Sequence, residues 1–217
     1  MNNRSAHRET TLREHWQALC RGLGLPPQPA HTLGEQLLRA WRRWPRRYHD
    51  TRHLAACVEA AAGLQAQCAA PQAVAWALWF HDAVYRPWAK DNEKRSADWA
   101  RDSALALGLP AAFANQVHGL VMATAHGQVP ALDDPDAAWV VDIDLGILGQ
   151  PAAVYERYAQ DVRREYFWVL PGTWRRGRAA VLSHFLAQPT IYRTPLFRQR
   201  HEAQARANLQ RELAALS

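Results

Sequence analysis

The sequence predicts an all-α protein, and three observations lead to that prediction. Apolar residues recur at helical spacing in successive segments along the 217 residues. No segment shows the alternation of apolar and polar residues that indicates a strand. Prolines and glycines separate the segments where helices are expected to begin and end. With 48% hydrophobic residues, the chain is predicted to fold and is long enough to bury a core.

The N-terminal part is predicted to hold two helices within residues 10–45. The first, "LREHWQALCRGLGL", stops at two glycines, and the second, "LGEQLLRAWRRW", ends before Pro45. Between them, "LPPQPAH" (25–31) is predicted to be a loop. A third helix is predicted from about Asp50 to Ala70.

The fourth helix, "PQAVAWALWFHDAVY", is predicted to lie at the centre of the fold. Pro71 suits its first turn, and its residues are apolar nearly all round, which is typical of a buried helix. Asp91 or Asn92 can cap the next helix. The remaining helices are predicted at about 93–107, 110–126, 135–149, 151–168, 174–187 and, starting after Thr194, at 195–216, with a loop at 126–136.

The charge pattern argues against a nucleic-acid partner. The net charge is +6, from 26 basic and 20 acidic residues. However, the arginines are scattered among acidic residues, no basic run exceeds two, and no basic tail is present. A positive field that attracts a small anionic substrate fits this pattern better.

The cysteines and the N-terminus predict a cytoplasmic protein. The three cysteines are odd in number and form no CxxC pair, which argues against a disulfide framework and a Cys-based zinc site. The N-terminal segment is polar and lacks the apolar core of a signal peptide. Since no apolar run is long enough to cross a bilayer, no membrane association is expected.

Residues that bind metals recur within the apolar helices. Histidines and aspartates occur in "YHDTRH" (48–53), "WFHDAVY" (79–85) and "WVVDIDLGILG" (139–149). Burying such groups costs free energy unless each has a partner, and one divalent cation would partner several of them. Imidazole and carboxylate ligands suit Zn, Mn, Fe, Co or Ni. The candidate ligands are His53, His81, Asp82 and Asp144.

The order H…HD…D resembles the HD-domain superfamily of metal-dependent phosphohydrolases. "RRYHDTRH" is similar to the segment "RxYHxxxH" that precedes the HD pair in such enzymes. The closest resemblance is to the small bacterial predicted metal-dependent HD-superfamily phosphohydrolases. Their pattern contains an "FHDAVY"-like segment, "DNExxSA", "DxDLxILG" and "ARxNLxxEL". This chain has "WFHDAVY", "DNEKRSA", "DIDLGILG" and "ARANLQREL", and the match covers Trp44 to Leu213.

The resemblance implies the architecture of an HD-domain helical bundle packed around a central buried helix. The length of 217 residues predicts one domain, or one with an appended segment. We expect a single HD-type helical domain over residues 1–217, in which the N-terminal helices at 10–45 and the C-terminal helix at 195–216 pack on the core. The sequence does not decide the oligomeric state, and a homo-oligomer remains an open alternative.

The resemblance also implies roles for individual residues. His53, His81 and Asp82 match the first three metal ligands, and Asp82 therefore counts among the catalytic residues. The fourth ligand is Asp144 or Asp142. The "DxD(R/K/L)" pattern favours Asp144, which leaves Asp142 to orient a ligand or a water molecule.

His49 matches the general acid of the cyclic-nucleotide phosphodiesterase branch. An ordinary histidine pKa near ~6.5 suits protonation of a leaving alkoxide. His126 is a further candidate ligand for a second ion, so the expected cofactor is one or two ions of Mn, Fe, Co, Ni, Zn or Mg.

The implied activity is hydrolysis of a nucleotide or a small phosphorylated metabolite. A bound divalent ion lowers the pKa of water from ~15.7 toward ~7 and polarises the phosphorus centre. Glu93 can contact the attacking water or a second metal, or it can be an ordinary first-turn carboxylate. The candidate substrate-binding residues are Arg47, Arg52, Lys90, Glu93 and Lys94.

Two other functions remain open at this point. Some HD proteins with added histidines are diiron oxygenases, and His126 keeps that alternative open. A non-catalytic ligand-binding module is the other alternative, although all four ligand positions are occupied by residues that can bind a metal.

Overall fold

A computed structural model describes residues 3–125 and 134–216 of the chain. Within these residues there are ten α-helices, two short 3-10 helices and no strand, so the predicted all-α class is confirmed. The chain divides into two compact units, Met1–Ile143 and Asp144–Ser217. The single domain over residues 1–217 stays a prediction.

The first unit contains seven α-helices. They are α1 (Asn3–Gly22), α2 (Pro27–Trp41), α3 (Thr51–Gly63), α4 (Pro71–Phe80), α5 (Asn92–Ala106), α6 (Ala111–Met122) and α7 (Asp136–Asp144), with a 3-10 turn at Gln65–Gln67. The division between the units falls inside the last turn of α7. Asp144 is therefore carried by the same helix as the residues before it.

Helix α4 is the buried centre of the first unit, as predicted. Seven of its ten residues are buried, and it packs against α1, α3, α5 and α6. Two buried indoles, one beside α4 and one within it, have hydrogen-bond partners, since Trp41 donates to the Trp79 carbonyl at 3.0 Å and Trp76 to the Ala100 carbonyl at 3.1 Å. The core thus buries large aromatic rings without leaving their N–H groups unsatisfied.

Helix α2 begins at Pro27, so the prediction of a loop over 25–31 is wrong for most of that segment. The first N–H groups of a helix have no partner within it, and prolines in this turn therefore remove no hydrogen bond. The helix packs closely on α1. A Cβ atom added at Gly34 would lie 2.5 Å from the Trp16 ring.

Helix α4 ends at Phe80, which is five residues earlier than predicted. Side chains of α5 take up backbone N–H groups in the segment that follows, since Val84 donates to Ser96 Oγ and Arg86 donates to Asn92 Oδ1, each at 3.0 Å. The predicted cap on α5 is absent, because Asp91 makes no side-chain capping bond and Asn92 binds Arg86 instead.

Helix α7 is shorter than predicted and is followed by a 3-10 turn at Leu145–Gly149. Its first residue, Asp136, is buried and accepts hydrogen bonds from the backbone N–H groups of Ala69 at 2.9 Å and Ala70 at 2.6 Å. The carboxylate lies at the N-terminal end of α4, which has no side-chain cap of its own. Most of the loop predicted at 126–136 lies outside the described residues.

The second unit contains α8 (Ala152–Glu165), α9 (Pro171–Ala187) and α10 (Pro195–Leu216). Helix α10 packs on α9 and on the 3-10 turn, where Asn208 donates to the carbonyls of Leu148 and Gln150 at 2.8 Å each. Helix α10 begins after Thr194 as predicted, and Thr194 caps it, with its Oγ1 accepting from the Phe197 N–H at 3.3 Å.

No single helix among the described residues is long and apolar enough to cross a membrane. One bent pair, Asp136–Gly149 with Ala152–Glu165, meets the criterion jointly, by length and composition only.

Candidate metal centre

Helix α3 places His53 in its first turn. The helix starts after Asp50, whose carboxylate accepts from the Arg52 N–H at 2.7 Å and so caps the end. The His53 side chain is buried, with the residue 5% exposed. Its Nδ1 atom lies 3.0 Å from the Tyr48 hydroxyl, in the segment that leads into the helix.

His81 occupies the C-cap of α4 and is 1% exposed. Its Nδ1 atom lies 2.8 Å from the Leu78 carbonyl oxygen. Because a carbonyl oxygen only accepts, Nδ1 carries the hydrogen, and Nε2 of the neutral ring keeps its lone pair. The Trp41 ring lies beside His81, with the ring centroids 5.3 Å apart.

The two buried histidines meet through their Nε2 atoms, which are 3.1 Å apart. Without a cation, His53 can donate from Nε2 to His81 while Tyr48 donates to His53 Nδ1. With a cation, His53 can donate from Nδ1 to the Tyr48 oxygen and turn its Nε2 lone pair to the ion. A hydroxyl both donates and accepts, so Tyr48 satisfies His53 in either tautomer.

Two carboxylates lie close to this histidine pair. Ligand atoms of His53, Cys57, His81 and Asp144 all lie within 4.8 Å of one another, and this largely buried group could hold a metal ion. In addition, Asp82 Oδ2 lies 3.5 Å from His81 Nε2, and the Asp82 side chain is 16% exposed.

Cys57 is the member of the group that the sequence analysis missed. It lies one helical turn after His53 on α3, a spacing that places both on one face. Its Sγ atom is 3.8 Å from both ring nitrogens of His53. A sulfur that shared an ion with His53 Nε2 would be expected nearer to Nε2 than to Nδ1. The equal distances indicate that Cys57 packs beside the ring.

The two other proposed catalytic residues lie outside this ligand group. His49 precedes α3, and its ring stacks on Tyr85 with centroids 4.4 Å apart and lies 6.0 Å from the His53 ring. Asp142 is fully buried on α7. Residues two apart on a helix point in different directions, so Asp142 and Asp144 do not share a face.

The predicted substrate-binding residues lie at the surface or near it. Arg47, Arg52, Lys90 and Lys94 are exposed, and Glu93 is half-buried in the first turn of α5. Arg52 pairs with Asp50 at 3.0 Å and donates to the Arg47 carbonyl. Lys94 pairs with Asp98 on its own helix at 2.6 Å. His126 lies outside the described residues.

Comparison with protein-family models, with curated proteins and with solved structures finds no match to this chain. The fold and the site define a helical protein with a buried His–Cys–His–Asp group that could hold a metal ion.

Proposed function

We propose that this chain is a metal-dependent phosphohydrolase that acts on a nucleotide or a small phosphorylated metabolite. The observation that carries the proposal is the 3.1 Å approach of His53 Nε2 to His81 Nε2 in a buried setting beside carboxylates. The H…HD…D order of the sequence supports the same function. Two buried imidazoles that face each other in this way are well arranged to share a cation.

The donor set fits a divalent transition metal. We assign the ligands as His53, His81, Asp82 and Asp144, which supply two nitrogens and two carboxylates. Such a set suits Mn, Fe, Co, Ni or Zn, whereas Mg prefers oxygen ligands alone. Cys57 is buried beside the His53 ring and is not assigned as a ligand.

A divalent ion bound there would supply a Lewis acid for an attacking water and for a phosphate oxygen. His49 would protonate the leaving oxygen, and its stacking on Tyr85 fixes the plane of the ring that carries this proton. The exposed Arg47 and Arg52 would attract the anionic substrate from solvent. Asp142 would act from the same helix as Asp144 by orienting a ligand or a water.

The two alternative functions make different demands on the protein. A diiron oxygenase binds two irons and consumes O₂, and His126, the candidate ligand for a second ion, lies outside the described residues. A non-catalytic module would bind its ligand with full affinity after the metal is removed. Iron content, O₂ consumption and ligand binding by the metal-free protein therefore separate the three functions.

The test is metal analysis of the purified protein, followed by a screen of phosphorylated compounds with Mn²⁺, Co²⁺, Mg²⁺, Ni²⁺ and Fe²⁺. We expect metal-dependent release of phosphate or of a phosphomonoester. Asp82→Ala should lose both metal and turnover while its metal-free form stays folded. The matched control is Asp102→Ala, because Asp102 belongs to the same unit and pairs with the neighbouring Arg101 at 2.9 Å.

Two outcomes would contradict the proposal in different ways. If folded protein retains no ion at saturating metal, then the metal site itself is wrong. If metal-loaded protein hydrolyses no compound of the panel, then the phosphohydrolase activity is wrong although the metal site stands.

A further inference from the structure

Arg46 joins two chain segments that lie next to the proposed metal ligands. One segment leads into α3 and holds Tyr48 and His49. The other is the turn that follows α4 and holds His81 and Asp82.

The guanidinium of Arg46 donates to backbone carbonyls of both segments. Nη1 donates to the His49 carbonyl at 2.7 Å, and Nη2 donates to the carbonyls of Asp82 at 2.7 Å and Ala83 at 3.0 Å. Helix α4 has already ended at Phe80, so the carbonyls of Asp82 and Ala83 lie beyond its regular hydrogen bonding.

Two aromatic rings hold the guanidinium in place. Its central carbon lies 5.1 Å from the Trp41 ring centroid and 5.2 Å from the Tyr85 ring centroid. These rings also contact the site, because Trp41 lies beside His81 and Tyr85 stacks on His49. Arg46 therefore contacts the backbone of His49, Asp82 and Ala83, together with the aromatic rings beside His49 and His81.

We infer that Arg46 is the positioning residue of the proposed metal site. It holds the turn after α4 against the segment before α3, so that His81 and Asp82 face His53. The inference rests on the proposed metal-dependent function. A planar guanidinium offers several donors in a fixed fork and bridges separate carbonyls, whereas a lysine ammonium is a compact point charge.

The sign of the effect on metal affinity distinguishes positioning from electrostatics. The positive charge of Arg46 lies close to the proposed site, because its guanidinium donates to the backbone of Asp82, the residue that follows His81. Through charge alone, its removal would relieve repulsion and strengthen cation binding. If Arg46 instead acts by positioning, its removal lets the two segments separate and therefore weakens cation binding.

The experiment compares wild type with Arg46→Met and Arg46→Lys in the full chain. The control is Arg42→Met, since Arg42 lies in the same unit and pairs with Glu9 at 3.2 Å. Hydrogen exchange is measured on the metal-free proteins over residues 44–50 and 81–86, and Mn²⁺ affinity is measured by titration calorimetry.

In both Arg46 variants the amide hydrogens of both segments should exchange faster than in wild type. The exchange rates of helix α10 should stay the same. Mn²⁺ should bind about 10–100-fold more weakly, the usual loss when a group that orients metal ligands is removed. Arg42→Met should show neither change. If Arg46→Met fails to fold, the test relies on Arg46→Lys, which keeps the positive charge and the aliphatic part of the side chain. The same two measurements, hydrogen exchange and Mn²⁺ affinity, are then made on that variant.

Unchanged exchange in both segments, or unchanged or tighter Mn²⁺ binding by the Arg46 variants, would overturn the inference. A different result would count against the proposed function instead. If the variants exchange faster in both segments but wild type binds no Mn²⁺, the contact between the segments stands and the metal site does not.

Discussion

At the scale of single residues, His49 and His53 lie in different surroundings and should have different functions. His53 is buried, with its Nε2 3.1 Å from His81. His49 is half-buried and stacks on Tyr85. We predict that His53→Ala lowers both metal content and hydrolysis rate. His49→Ala should keep its metal and lose ~10²–10⁴-fold in rate, the usual size of a general acid–base contribution.

The substrate's leaving group supplies the control for this prediction. Nitrophenolate leaves without protonation, so the loss caused by His49→Ala should shrink on nitrophenyl phosphate esters. Metal content and rate are measured on the same preparations with both kinds of ester. Loss of metal from His49→Ala, or an equal loss of rate on both esters, would show that the proton comes from another group.

Some residues of the site could be found from the sequence and others could not. His53 and His81 stand out because they interrupt apolar helices, and both belong to the buried group. Cys57 could have been predicted to lie near the site, since it follows His53 by one helical turn. The lack of a CxxC pair led us to set the cysteines aside. The contacts of Arg46 depend on where α4 ends, which the apolar pattern does not reveal.

At the scale of helices, Asp136 should stabilise α4 by direct contact, although it lies far from α4 in the sequence. Its buried carboxylate accepts from two backbone N–H groups at the start of α4, and it lies at the positive end of the helix dipole. We predict that Asp136→Ala lowers the free energy of unfolding by about 3–6 kcal/mol, since two hydrogen bonds to a charged group are lost and each contributes about 1.5–3 kcal/mol.

Urea denaturation measures this effect through the transition midpoint at constant slope. Asp136→Asn keeps one acceptor oxygen and should lose less stability than Asp136→Ala. If Asp136→Ala unfolds at the wild-type urea concentration, then the carboxylate does not contribute to the stability of α4.

The ends of the helices were less predictable than the helices themselves. The reason is that residues distant in the sequence, such as Asp136, contact the helix ends. Each of the ten described helices overlaps a segment that the sequence predicted to be helical. In contrast, contacts from residues distant in sequence accompany some of the ends: Ser96 and Asn92 bind the backbone after α4, and Asp136 binds the backbone before it. Periodicity within a segment contains no information about such partners.

At the scale of the whole molecule, metal binding should raise thermal stability. His53 and His81 come from different helices of the first unit, and Asp144 ends a third. An ion that binds them together binds the folded chain better than the unfolded one. Free metal at 100 times its dissociation constant then adds about 2.7 kcal/mol to the free energy of unfolding.

This gain sets the expected shift in melting temperature. For chains of this length, each kcal/mol raises the Tm by about 2–4 °C, so saturating metal should raise it by about 5–11 °C. Calorimetry on chelator-treated protein, with and without added Mn²⁺, measures the shift. His81→Gln should abolish it, because the Nε2 ligand is lost, whereas Arg101→Gln on the surface of α5 should shift like wild type. An equal shift in His81→Gln would mean that the ion binds elsewhere on the chain.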